Sequence, residues 1–350
     1  LQEQVNRSCL LYTLDGFSGT LRLLTYDMII NEEYLSSTAL SQSKLKKLLA
    51  HPQLFINYNN EDDTDEPKET TVIGDGVDLI LTQSHDAFYD AFYVTDVEKP
   101  GAMMGVFVWN LFINRDSSEA VQIAYERSGF KIKVDKVLER FEKEGKYYYE
   151  ALLESNGKSV ITTSQKAKID AIVESLKYND FTSEWINGSE IYEVHKQVVV
   201  EFEYNGHKCK GLLDLVVVDK ATGVVYPIDL KTTSSPTHYW MSMFWKFRYD
   251  IQAAFYTYGV IASGLVKQLG GKVLHPFRFI VENQDYPGSP LIYEMSEDIL
   301  EIGQYGGEHN GRQYEGFHQA IERYEWHVEN DLWKYPMHDY QNKGVRIIGQ

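Results

Sequence analysis

Cysteine is nearly absent: Cys9 and Cys209 are the two in 350 residues, too few for a disulfide framework or a four-cysteine metal site, and in keeping with a reducing cytoplasm. No uninterrupted apolar run approaches the roughly 20 residues that span a bilayer, and the first residues lack a basic-then-apolar leader, so the sequence predicts a soluble, cytoplasmic protein with no membrane partner. Positive charge is also scarce, with 34 Lys and Arg against 51 Asp and Glu and a net charge of −17. That balance argues against a generally sticky nucleic-acid binder, because phosphate binding takes clustered Lys and Arg. What is present, 43% hydrophobic and 24% charged residues, suffices for a substantial core in one large domain or two.

The most informative stretch is GLLDLVVVDKATGVVYPIDLKT, residues 211–232. Leu212 to Val218 and Val224 to Leu230 are β-rich runs, and the break from Asp219 to Gly223 suits a five-residue hairpin loop. Side chains alternate along a strand, so Asp229 and Lys231 share one face while Ile228 and Leu230 point to the other. Asp214 falls on the neighbouring strand, within reach of Asp229. Two carboxylates about 4 Å apart repel by roughly 4 kcal/mol at an effective dielectric near 20, so an apolar sheet needs a compensating charge to keep both ionised. A divalent cation supplies it, and oxygen-only ligands suit Mg²⁺ or Mn²⁺. Lys231 could then orient a water or offset charge on a phosphate. The plainer alternative is a surface hairpin whose Asp and Lys form a solvated pair.

Downstream, residues 248–262 predict a helix with Tyr249, Gln252 and Tyr256 along one face and Ile251, Ala254, Phe255 and Tyr258 along another. A carboxylate near one strand's end, Asp-x-Lys ending the next, then Gln-x-x-x-Tyr on a helix together resemble the PD-(D/E)XK nuclease superfamily. Here those residues are Asp214, Asp229, Lys231, Gln252 and Tyr256. More narrowly, DLKTT, RYDIQAAFY and FRFIVENQDYP are similar in order and spacing to blocks of the exodeoxyribonuclease VIII type of phage recombination exonuclease, a relative of lambda exonuclease. The likeness covers about 190–303, is weaker over 34–94 and is absent between them.

The resemblance implies an α/β fold with a restriction-endonuclease-like core, a mixed central sheet flanked by helices, carrying a helical insertion. It implies Mg²⁺-dependent DNA cleavage (Mn²⁺ as the alternative), by a 5′–3′ exonuclease on double-stranded ends, a ring-shaped homo-oligomer with a single-strand annealing partner, and a host cytoplasm as location if the chain is phage-encoded. Asp214, Asp229 and the Leu230 carbonyl would hold the cation. The family's Gly-x-x-x-His ligand has Asp78 at the matching position, a carboxylate able to replace imidazole on a hard cation. Lys231 would position water, and Gln252 and Tyr256 would hold the strand. The two cysteines exclude the superfamily's iron–sulphur branch. An endonuclease of the same superfamily and a catalytically silent DNA-binding or structural module with this fold are the rival expectations.

The domain plan expected is an N-terminal segment of the nuclease domain at 1–100 with an acidic loop at 57–70, a mostly helical insertion at 101–185, the core at 186–305, and a C-terminal helical segment and tail at 306–350. Residues 1–31 carry strand-like runs. Residues 36–51 predict a short helix capped by Ser41 or Ser43 and stopped by Pro52. Residues 74–94 predict a helix leading into an extended segment, and 101–180 are helical apart from the apolar Val106 to Ile113, with clear stripes at 166–178 and 133–145. Asn205-Gly206 predicts a tight hairpin. Lys44, Lys46, Lys47, Lys246 and Arg248 are candidates for a DNA track, and Glu193 and Glu201 are exposed-face glutamates or further ligands. The aromatics of 237–247 close over the core or stack on bases.

Overall fold

The computed structural model describes residue 34 and residues 36–58 and 68–347, so the strand-like runs expected within 1–31 and most of the acidic loop, 59–67, lie outside the described residues. The chain divides into two compact units, one made of residues 1–60, 176–283 and 288–350, the other of 61–175 and 284–287.

The first unit is built on a mixed sheet. Its strands are β1 (Tyr192–Tyr204), β2 (His207–Asp219), β3 (Val224–Thr233), the short β4 (Val273–Leu274), β5 (Arg278–Asn283) and β6 (Leu291–Glu294). They lie in the order β1-β2-β3-β5-β6, with β4 also on β3. Val200, Phe202 and Tyr204 alternate inward on β1 and are buried. The chain then reverses through Asn205 and Gly206, at φ of 50° and 81°, a two-residue turn that needs left-handed backbone at both positions. β1, β2 and β3 are antiparallel neighbours, whereas β3 and β5 are parallel, and parallel strands require a crossover.

That crossover contains helix α2 (Tyr249–Ala262). Ile251, Ala254 and Phe255 are buried in the sheet core. Two glycines allow the close approach: a Cβ on Gly211 would stand 2.8 Å from the Tyr256 ring, and one on Gly259 2.7 Å from Phe202. Before α2, Trp240 and Phe244 are buried among Tyr249, Phe279 and Tyr293, so these two aromatics close the core, while Tyr239 and Phe247 stay exposed. Helices α3 (Glu297–Tyr305) and α4 (Phe317–Asn330) complete the layer, separated by a small hairpin, Gly307–His309 with Arg312–Tyr314.

The helix expected near 36–51 is α1 (Gln42–Ala50), capped by Ser41, whose Oγ accepts from the Lys44 N–H at 3.3 Å. Pro52 ends it and opens the next helix, Pro52–Ile56, because its fixed φ suits a first helical turn.

The second unit is mostly helical, with one parallel strand pair, Phe92–Thr95 and Ser159–Thr162. The stripes expected at 166–178 and 133–145 form helices Thr163–Tyr178 and Val134–Glu144. The expectation that Val106 to Ile113 stands outside the helices is corrected: it belongs to helix Ala102–Ile113. Met104, Phe107 and Val108 are buried in this unit's own core, and an apolar run facing a core carries no amphipathic period to mark it as helical. Among the described residues no helix is long and apolar enough to cross a membrane.

Candidate active site

β2 and β3 run paired from Val218–Val225 to Leu215–Ile228 and then part. In that register the next two residues facing each other are Asp214 and Asp229. The Leu230 N–H, released from main-chain pairing with β2, is taken up by Asp214 Oδ2 at 2.7 Å. On the other flank, the β1–β2 ladder lapses at the same level, where Gln197 adopts φ 50°, left-handed backbone uncommon for a non-glycine residue. Asp214 therefore sits at a break in pairing on both sides.

Asp229 is 3% exposed and faces α2. The Gln252 side chain donates from Nε2 to its Oδ1 at 2.6 Å, and the Lys231 ammonium pairs with Oδ2. The same ammonium lies 3.4 Å from the Leu230 carbonyl and 5.3 Å from the centre of the Tyr249 ring. Burial alone would lower the Lys231 pKa, but Asp229, Asp214 and Tyr249 outweigh it and hold it above the ordinary lysine value. Tyr256 is also buried; burial first, then Asp229, push its phenol well above the usual range, so it remains a neutral hydroxyl, with Gln42 of α1 near enough to offset part of that rise.

These oxygens fit a hard divalent cation. Asp229 and the Leu230 carbonyl are already bridged by one positive charge, the Lys231 ammonium, and Asp214 adds to the field that stabilises it. Among the described residues no three His, Cys, Asp or Glu side chains converge, and a cation here would meet two carboxylates and a carbonyl. A set this small suits a cation that keeps several waters, as Mg²⁺ does.

Asp214, Asp229, Leu230, Lys231, Gln252 and Tyr256 are thus brought together within the first unit. Asp78 lies in the second unit, as the last residue of helix Glu69–Asp78, just before a π-helical turn at Leu79–Gln83. Glu193 and Glu201 are exposed, Glu193 beside His195 at 3.3 Å.

Of the five candidate bases, Arg248 is committed elsewhere: it sits in left-handed backbone at φ 54° and binds the fully buried Asp250 through Nε at 3.0 Å and Nη2 at 2.8 Å. Lys44 is buried against the Ala39 carbonyl, and Lys246 is exposed. Lys46, by contrast, reaches the site. Its ammonium lies 5.6 Å from the centre of the Tyr249 ring and 3.4 Å from the Phe247 carbonyl. Burial, then Lys231, push its pKa down to about 8 against the opposing pull of Asp229 and Asp250. Sequence reasoning grouped Lys46 with its neighbours and missed Gln42 and Gln197; three lysines on one short helix give no signal of which one turns inward.

A model of a family described as a PDDEXK-like domain of unknown function (DUF3799) matches residues 41–323. Among solved structures, the chain is similar to a candidate exonuclease from Eubacterium rectale, at 13% identity over 93% of this chain and 89% of that one, with a TM-score of 0.45. It is also similar to SSO0001, at 12% identity over 66% of this chain and 81% of that one, with a TM-score of 0.23. No curated protein matches the chain.

Proposed function

Since the chain belongs to the family of PDDEXK-like domains of unknown function (DUF3799), we propose that it is a metal-dependent deoxyribonuclease hydrolysing DNA phosphodiesters at the parting of β2 and β3. The observation carrying this proposal is the convergence of Asp214, Asp229, the Leu230 carbonyl and the Lys231 ammonium at one break in the sheet.

Asp214, Asp229 and the Leu230 carbonyl would hold Mg²⁺ or Mn²⁺, which when bound polarises phosphate oxygen and lowers the pKa of water. The protein's own groups divide the remaining work. Asp214 fixes the Leu230 peptide through its N–H, which aims the Leu230 carbonyl. Gln252 holds one oxygen of Asp229 and leaves the other turned toward Lys231. Lys231, held beside Asp229 and the Leu230 carbonyl, would orient the attacking water or offset negative charge growing on the phosphate. Tyr256, kept neutral, offers a hydroxyl to hold the strand.

The motif blocks around 229–233, 248–256 and 277–287 support the narrower proposal of a 5′–3′ exonuclease on duplex ends of the exodeoxyribonuclease VIII type, acting in phage recombination as a homo-oligomer beside a single-strand annealing protein. Linear duplex labelled differently at each end, incubated with Mg²⁺ beside a closed circle, tests it. Loss of the 5′ label first, with the circle intact, is expected; cutting of the circle would make the protein an endonuclease, and no cutting of either would refute nuclease activity. Asp229→Asn is expected to abolish cleavage with the fold retained, as read by circular dichroism.

A further inference from the structure

Among the described residues Lys46 is paired with no carboxylate, and its one hydrogen-bond acceptor is the Phe247 carbonyl, at a long 3.4 Å. Its place follows from the divergence that makes the site. Where β3 leaves β2, the free edge of β2 is filled by Leu40, whose N–H and C=O bond to Lys208 and Lys210 at 2.9 and 2.8 Å in a parallel bridge to Cys209. The chain then turns at once through the Ser41 cap into α1, whose Leu45 and Leu48 pack inward. Lys46 is carried over Tyr249, the ring that Lys231 also approaches, at 5.6 Å and 5.3 Å respectively. Two ammonium groups thus stand beside one ring, one paired with Asp229 and the other, among the described residues, in no ion pair and acted on by Asp229 and Asp250 only at a distance.

We propose that Lys46 binds a phosphate of the DNA backbone beside the cleaved bond, so that α1 supplies the substrate-positioning cation of the site and Lys231 the one that acts on the reaction. This assignment rests on the nuclease activity proposed above. A substrate phosphate would then give this ammonium the direct anionic contact that the described residues do not. The lowered pKa fits the same picture: burial beside another ammonium keeps the amine costly until an anion arrives. Arg248 cannot serve instead, because Asp250 and the Glu315 carbonyl occupy its guanidinium.

The test uses the full chain, a fluorescent linear duplex and two readouts. Affinity is measured by anisotropy across a salt series with Ca²⁺ replacing Mg²⁺, and cleavage is measured with Mg²⁺. Lys46→Met, which keeps the apolar stem, is expected to weaken binding about ten-fold at moderate salt, to lower the slope of log affinity against log salt by about one, and to raise KM more than it lowers kcat. Lys46→Arg should restore all three. Lys46→Gln, checked for an unchanged melting temperature, guards against a packing defect in the Met variant. Wild-type cleavage with unchanged affinity, slope and KM in both uncharged variants would overturn the role of Lys46 and leave the nuclease standing. A wild-type protein that neither binds nor cuts duplex would overturn both.

Discussion

Replacing Lys231 by Met separates the charge bookkeeping of the site from its chemistry. The ammonium balances two facing carboxylates, one of them 3% exposed. Breaking a buried ion pair by deleting one partner costs about 3–5 kcal/mol. The Lys231 side chain is 21% exposed, and water reaching it brings the loss down to the lower limit of that range or just beneath it, about 2–3 kcal/mol. For a chain of 350 residues unfolding as a unit, that corresponds to a fall in melting temperature of roughly 3–4 °C in EDTA. Mg²⁺ should then reverse the order of effects. In the wild type a cation must displace the ammonium from Asp229, whereas in Lys231→Met the site is bare and repulsive. A tenfold tighter site adds about 1.4 kcal/mol at saturating cation, roughly 2 °C beyond the wild-type shift. Cleavage should nevertheless drop by about a hundredfold or more, because the lost charge acts on the reacting phosphate. Differential scanning fluorimetry with and without 10 mM Mg²⁺, run beside the end-label assay, reads both. If the variant melts with the wild type in EDTA, or gains less from Mg²⁺ than the wild type does, the assignment of these oxygens to a cation is wrong.

Two further outcomes follow from packing and titration. Gly211→Ala places a methyl 2.8 Å from the buried Tyr256 ring and 3.1 Å from Val200, and should cost about 1–3 kcal/mol in urea unfolding and lower cleavage by moving Tyr256; a variant as stable and active as the wild type would show that the ring moves freely. Lys46 titrates at about 8 in the folded chain and near the ordinary lysine value in the unfolded one, so between the two the unfolded state holds the extra proton. The charged amine therefore costs stability fully below about pH 8, and unfolding free energy in EDTA should rise from about pH 8 upward as that cost is lifted. Lys46→Met should remove this rise, and parallel wild-type and variant profiles from pH 7 to 9.5 would contradict it.

The parts of the site that were legible in the sequence are those fixed by short-range geometry. The break from Asp219 to Gly223 closes as a turn, with Gly223 N–H on the Asp219 carbonyl at 2.7 Å and Gly223 at φ 78°. Once that loop is set, antiparallel counting alone brings Asp214 opposite Asp229, and the period of two puts Lys231 on the face of Asp229. Helical spacing likewise put Gln252 and Tyr256 on one side of α2. Long-range events stayed hidden. Nothing local to Lys46 announces that β2 loses a neighbour 160 residues later in the sequence and that residue 40 fills the gap. Arg248 has the composition of a DNA-track residue, yet the fully buried Asp250, two positions on, claims it. Asp78 comes from the weaker part of the likeness, 34–94, and ends helix Glu69–Asp78 of the second unit.

The net charge of −17 sets a condition on how such a site meets DNA. Many acidic groups are balanced locally, as in the pairs Lys136–Glu139, Arg140–Glu144 and Lys146–Glu142 along exposed helices, but the excess of 51 acids over 34 bases leaves a repulsive far field. At about 10 mM salt the screening length is about 30 Å and the approaching duplex feels the whole molecule; at 150 mM it is about 8 Å and the duplex feels chiefly Lys46, Lys231 and their neighbours. Association should therefore quicken as salt rises from 10 to 150 mM, while dissociation quickens throughout because each phosphate contact is weakened. Stopped-flow anisotropy with Ca²⁺ held constant separates the two rates. An association rate that falls monotonically with salt, as for a basic DNA-binding surface, would mean that a positive track beyond this site governs the encounter, and that the cations around Tyr249 are not where the strand first meets the protein.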